Sequence, residues 1–139
     1  MINTRLSVAI HILALITTQH ERPMSSDFIA GSVNTNPVVV RRLSSLLRKA
    51  DILTSRPGQP GAKLTRAPEN ITLLDVYKAV QTQDELFAIH NKPNPNCDVG
   101  SHIQATLDKT FDRVQQAMEQ ELANQTLADV IKELANQIS

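Results

Sequence analysis

The run N34-T35-N36-P37-V38-V39-V40-R41-R42-L43, continuing through S44-S45-L46-L47-R48-K49-A50, constrains the chain more than any other stretch. Asn36 is a strong N-cap, and Pro37 then stands at the first helical position, where its fixed φ helps and its missing N–H costs nothing. On a wheel of 3.6 residues per turn, Val39, Val40, Leu43, Leu46, Leu47 and Ala50 share one broad face. Val38, Arg41, Ser45, Arg48 and Lys49 point the other way, with Arg42 on the flank. The sequence therefore predicts a helix with an apolar inner side and a small, polar, strongly basic outer side.

The flanking segments define what that helix is part of. A first helix is expected from about Thr4 to Thr18. It is apolar almost all round, which suits the core, and His11 reads as a satisfied core residue within it. Ser25 or Ser26 can cap a short helix over Asp27 to about Gly31, and SVNTN makes a turn. After the basic helix, short extended pieces near LTSR and AKLTR flank PGQPG, a β-hairpin with Arg56, Lys63 and Arg66 on it. Thr72 caps a further helix, LLDVYKAVQ, with Asp75 three residues on in a capping-box position. A buried helix, a short helix, a turn, a basic helix and a basic hairpin, in that order, make a winged helix-turn-helix. In it, Ala30 is small where the two helices cross, Val33 plugs the turn, and Val40 and Leu43 seat the second helix.

Charge supports a polyanion partner. Net charge is zero, but residues 1–66 hold nine Lys and Arg against three Asp and Glu, a balance of +6. Residues 67–139 hold five against eleven, a balance of −6. The basic half would face nucleic acid and the acidic half would face away. Thr35, Asn36, Val38 and Arg41, at the start of the recognition helix, are candidates to reach base edges. Arg can pair with guanine, and Val can touch a thymine methyl. Arg42, Arg48 and Lys49 are candidates for the phosphate backbone, Arg56, Gln59 and Lys63 for wing contacts, and Ser45, on the same outer face, is a further DNA-binding candidate.

The segment KPNPNCDVGSHI, residues 92–103, holds the one cysteine, Cys97. Its prolines, asparagines and glycine predict a loop that is neither helix nor good strand, with Asp98 or Ser101 capping the helix that follows. One cysteine cannot form an internal disulfide, which suits a reducing cytoplasm. No signal peptide is visible, and VAIHILALI is too short to span a bilayer. Beyond the loop, Ile103, Leu107, Phe111, Val114, Met118 and Leu122 recur at helical spacing, a stripe about 30 Å long. The front half reads as closing its own core, so the simplest partner for this stripe is a second copy of itself. The alternative is packing back onto its own domain. Thr126 caps a last helix, LADVIKELANQI.

The segments NTNPVVVRRLSSLLRKADILTSRPGQPGAKLTR, ITLLDVYKAVQ and NPNCDVGSHIQ together resemble the Rrf-two family of winged-helix transcription regulators, most closely its YwnA-like branch. The resemblance covers nearly the whole chain. It implies a homodimer on a palindromic operator, usually as a repressor, with the long helix, about Ser101 to Ala123, crossing its twin. Two features depart from the family. Cluster-binding members carry three cysteines where this chain has Cys97 alone, and a two-iron, two-sulfur cluster needs four ligands. His90, Asp98 and His102 are the remaining nearby donors, and neither a metal nor a cofactor is expected. The wing tip reads Pro60-Gly61-Ala62 in place of the family's glycine-glycine-aromatic pattern.

The expected fold is mainly α: a winged helix-turn-helix with a small β-hairpin wing, plus a long dimerisation helix. Residues 1–67 would form the DNA-binding domain, 68–100 the connecting helix and cysteine loop, and 101–139 the dimerisation and C-terminal helices. The expected function is a cytoplasmic, sequence-specific DNA-binding regulator acting as a homodimer, with double-stranded DNA and itself as partners and no membrane contact. An unidentified small-molecule or redox signal is the expected input. Two alternatives are a thiol sensor switched through Cys97 and a winged helix that binds only protein. No phosphate loop, HExxH or nucleophile elbow points to an enzyme.

Overall fold

Burial of one stripe on each of several short helices organises the chain. The structure is a computed structural model that describes residues 4–19, 24–55, 61–81 and 93–138. The elements in order are α1 (Arg5–Thr18), α2 (Ser26–Val33), α3 (Pro37–Lys49), β1 (Leu53–Thr54), β2 (Lys63–Leu64), a 3-10 turn (Pro68–Asn70), α4 (Leu73–Val80), α5 (Asp98–Ala123) and α6 (Leu127–Ile138). They fall into two compact units, one of residues 1–81 with 122–139 and one of residues 82–121.

The first unit is a winged helix. Ala9, Ile12 and Leu13 of α1 are fully buried and meet Ile29 and Ala30 of α2, Val40, Leu43 and Leu47 of α3, and Ile52 and Leu53 at the root of the wing. Small Ala30 lies in this core, and Val33 packs against it, as the sequence suggests. The expected contribution of Ala50 to the inner face fails. Helix α3 ends at Lys49, and Ala50, one residue past it, is exposed.

Caps set the helix boundaries. Ser25 accepts the Phe28 N–H, which fixes the start of α2, and this helix runs two residues further than the sequence suggests. Asn34 closes it in the left-handed region at φ 63°, a conformation that asparagine tolerates better than most residues. Asn36 Oδ1 accepts the Val38 N–H at 2.8 Å and opens α3. The turn between the two helices is thus built by two asparagines, one at each end.

The expectation that the front half closes its own core is also corrected. Ile71, Val76, Val80 and, from the far end of the chain, Leu127 are buried in the same cluster. Thr72 and Thr126 form an antiparallel bridge, flanked by Leu73 N–H to Gln125 O and Leu127 N–H to Ile71 O. Each of these threonines caps a helix through a reciprocal box. Thr72 pairs with Asp75 to open α4, and Thr126 pairs with Asp129 to open α6. The core of the winged helix thus takes side chains from α4 and α6 as well as from α1 to α3.

In the second unit, α5 begins at Asp98, so Asp98–Ile103 is helical rather than loop. Only the residues before it turn: Asn94 Oδ1 accepts the Asn96 N–H, and Cys97 N–H donates to Asn94 O. This turn folds back against Gly100, where an added Cβ would be driven into the Asn94 carbonyl oxygen. Proline and asparagine enforce the turn, but they do not stop a helix from starting immediately after it.

Two glycines in helices should therefore respond oppositely to the same change. Gly100→Ala should lower unfolding free energy by about 1–3 kcal/mol, because the turn must move away. Gly31→Ala, with nothing within 4 Å of the new methyl, should raise it by about 0.5–1 kcal/mol. Denaturant unfolding of the two variants measures both signs.

Candidate nucleic-acid interface

Seating Val40, Leu43 and Leu47 in the core leaves the opposite side of α3 to solvent. Val38, Arg41, Arg42, Ser45, Arg48 and Lys49 are all exposed there. Val38, at 48% exposure, is an apolar side chain held in water beside arginines. None of Arg41, Arg42, Arg48 and Lys49 has a carboxylate partner among the described residues. Part of this charge also suits the helix itself, since Arg48 and Lys49 lie in its last turn, where cations favour the dipole. That account does not extend to Arg41 and Arg42, near the start of the helix.

The N-terminal residues are more constrained. Asn36 is exposed, but its Oδ1 is committed to the cap, which leaves only its NH2 to donate elsewhere. Thr35 is half-buried, and its N–H closes the turn onto Ala30 O. The helix N-terminus adds partial positive charge on the same side as Arg41.

The wing is short. Leu53 pairs with Leu64, and Thr54 with Lys63. Lys63 is exposed on β2. Arg56, Gln59 and Pro60 lie outside the described residues. Arg66, grouped with the basic hairpin by sequence, turns inward instead and bonds to Asp51 O, Asn70 O and Asp75. Partial burial pushes the Asp75 carboxyl up. The Thr72 N–H and hydroxyl and the Arg66 guanidinium outweigh this and hold it below the ordinary aspartate range.

In α5, Ile103, Leu107, Phe111, Met118 and Leu122 are half-buried, Val114 is 43% exposed, and no residue of the helix is buried in the single chain. At its start, neither Asp98 nor Ser101 acts as the cap. Cys97 occupies that position, and its exposed thiol is held below the usual thiol range by the Gly100 N–H and then the Val99 N–H. The Ser101 hydroxyl donates to Asp98 O, and His102 Nδ1 donates to the same carbonyl at 2.7 Å. His90 lies outside the described residues. His11, expected to be satisfied within the core, is half-buried and bonds Ser32 Oγ at 3.0 Å, tying α1 to α2.

Residues 2–133 match the model of the Rrf2 family, described as iron-dependent transcriptional regulators. The chain belongs to the Rrf2 family. It is 62% identical over 134 residues to YwnA of Bacillus subtilis (strain 168), a protein named as an HTH-type transcriptional regulator, covering 96% of this chain and 99% of that one. A crystal structure described as a DNA-binding protein is 57% identical, with a TM-score of 0.76, covering 91% of this chain and 98% of that one. A transcriptional regulator from Lactobacillus plantarum shares the fold at 24% identity and a TM-score of 0.80, over 95% of this chain and 90% of that one. The protein is thus a winged-helix, DNA-binding transcription regulator and not an enzyme.

The iron in the family description does not fit this chain's donor set. The sequence holds one cysteine, which stands just before the first residue of α5, and no group of three His, Cys, Asp or Glu residues gathers among the described residues. Among the described residues, no helix is long and apolar enough to cross a membrane.

The cap makes the thiol testable. The pH profile of Cys97 alkylation by iodoacetamide should have its midpoint below that of a cysteine in an unstructured peptide. A midpoint at or above the peptide value would contradict the capping contact.

Proposed function

We propose that this protein is a sequence-specific repressor that acts in the cytoplasm as a homodimer on a palindromic operator. The observation that carries this reading is the outer face of α3: exposed Val38, Arg41, Arg42, Ser45, Arg48 and Lys49 around a stripe seated in the core. In this reading Arg41, Val38, Thr35 and the Asn36 amide reach base edges. Arg42, Ser45, Arg48, Lys49 and Lys63 hold phosphates, with Arg56 and Gln59 at the wing. Residues 1–67 would carry DNA binding, 68–100 the connection, and 101–139 dimerisation. The half-exposed stripe Ile103, Leu107, Phe111, Val114, Met118 and Leu122 would pack against its copy in a second chain.

Selection of bound duplexes from a random pool should return an inverted repeat with half-sites about one DNA turn apart. Absence of binding even at low salt would sink the reading, and a non-palindromic site would sink the dimer. Arg41→Ala should cost about 1–3 kcal/mol and relax the preference at one base position. Lys49→Gln should weaken all sequences alike and lower the salt slope by about one. In sedimentation, Leu107→Asp combined with Phe111→Asp should shift the chain from dimer to monomer.

A second reading is favoured by the exposed, capped thiol: a regulator switched through Cys97. A peroxide would oxidise the thiolate to a sulfenic acid and be reduced to water or an alcohol. A second thiol would then condense with the sulfenic acid, releasing water and leaving a disulfide. The native protein and Cys97→Ser should then differ in operator binding after peroxide treatment. Equal binding by the two removes this reading.

A further inference from the structure

We infer that Arg66 is a positioning residue for DNA binding: its guanidinium fixes the direction of the wing and touches no phosphate. The inference rests on the reading that α3 and the hairpin bind DNA. Each of the three guanidinium nitrogens is engaged within the protein. Nη1 donates to Asp51 O at 3.1 Å, Nε donates to Asn70 O at 2.9 Å, and Nη2 donates to Asp75 Oδ2 at 3.3 Å in an ion pair. These partners belong to three different stretches. Asp51 follows α3, at φ 60°, and leads into β1. Asn70 ends the 3-10 turn, and Asp75 is in the first turn of α4.

The wing needs such a clamp because its ladder is minimal. Among the described residues the ladder has two pairs, Leu53–Leu64 and Thr54–Lys63; Leu53 is buried and Leu64 packs against the core, but so short a ladder adds little restraint of its own on the hairpin's direction. The base of the hairpin is held from outside the ladder. Thr65 N–H donates to Ile52 O at 3.0 Å, the Thr65 hydroxyl donates to Asp51 O at 2.6 Å, and Arg66 adds its bond to that same carbonyl. Arg66 then carries the restraint onward to α4. Exposed Lys63, two residues before Thr65, inherits its placement from this root.

The test uses the full chain and a labelled duplex carrying the site recovered from the random pool, titrated over a range of salt. Arg66→Gln should weaken binding by about threefold or more while leaving the slope of log K against log salt unchanged. Lys63→Gln, the phosphate control, should lower that slope by about one. Asp75→Asn keeps an oxygen for the Thr72 cap but loses the ion pair. It should also weaken binding, although removing a negative charge by itself would tighten it. Arg66→Gln with Asp75→Asn should be no weaker than the weaker single variant. Arg66→Lys retains the charge but not the three-way fork, and should fail to restore affinity. Thermal unfolding of each variant, midpoints staying well above the assay temperature, establishes that folded protein is being compared.

A drop in slope with Arg66→Gln, full rescue by lysine, or tighter binding by Asp75→Asn would overturn the inference and make Arg66 a phosphate contact or a bystander. Failure of the native chain to bind any duplex at low salt would overturn the DNA-binding reading, and this inference with it.

Discussion

Burial of Val40, Leu43 and Leu47 fixes the rotation of α3 about its axis, and most of what the molecule presents to solvent follows from that rotation. A helix turned by one residue would swing each side chain by about 100° and bury arginine in place of leucine. Arginine is rarely buried without a partner, so competing rotations are strongly disfavoured. The basic face is therefore held in place by the apolar one. The two asparagines at the α2–α3 turn then fix where along its axis α3 begins, and the Ala30 carbonyl receives the N–H groups of both Asn34 and Thr35.

Much of this was visible in the sequence because caps and periodicity are local signals. Asn36-Pro37, Thr72 with Asp75, and Thr126 all open helices where residue type suggests. The outward residues of α3 were readable for the same reason. Three features were not. The start of α5 was hidden because Cys97 is an uncommon cap and Asn-Pro-Asn before it reads as loop. Ala50 suits a helix but falls just beyond the end of one. The inward turn of Arg66 depends on Asp51, Asn70 and Asp75 meeting in space, and no spacing rule encodes that.

Cys97 stands alone in the sequence, and its surroundings suit a lone thiolate rather than a cluster ligand. Iron–sulfur ligation needs several thiolates converging on a metal. Here the Gly100 and then the Val99 N–H at the helix start hold a single thiol below its ordinary range and favour its ionised form. The same helix-start geometry explains why the residue stays exposed, since the capping position lies outside the first turn.

The bridge between Thr72 and Thr126 also bears on how the molecule is made. Leu127 is fully buried in the winged-helix core, yet α5 precedes it in the chain. On a ribosome, α1 to α4 emerge first and wait, with Ile71 and its neighbours uncovered, until α5 has been synthesised and α6 arrives. A translation product that stops within α5 would therefore keep every residue of the basic helix and still leave its core open to water. Proteolysis of such nascent or shortened chains should start in the winged helix itself, a cost of sharing its core with the C-terminal helix.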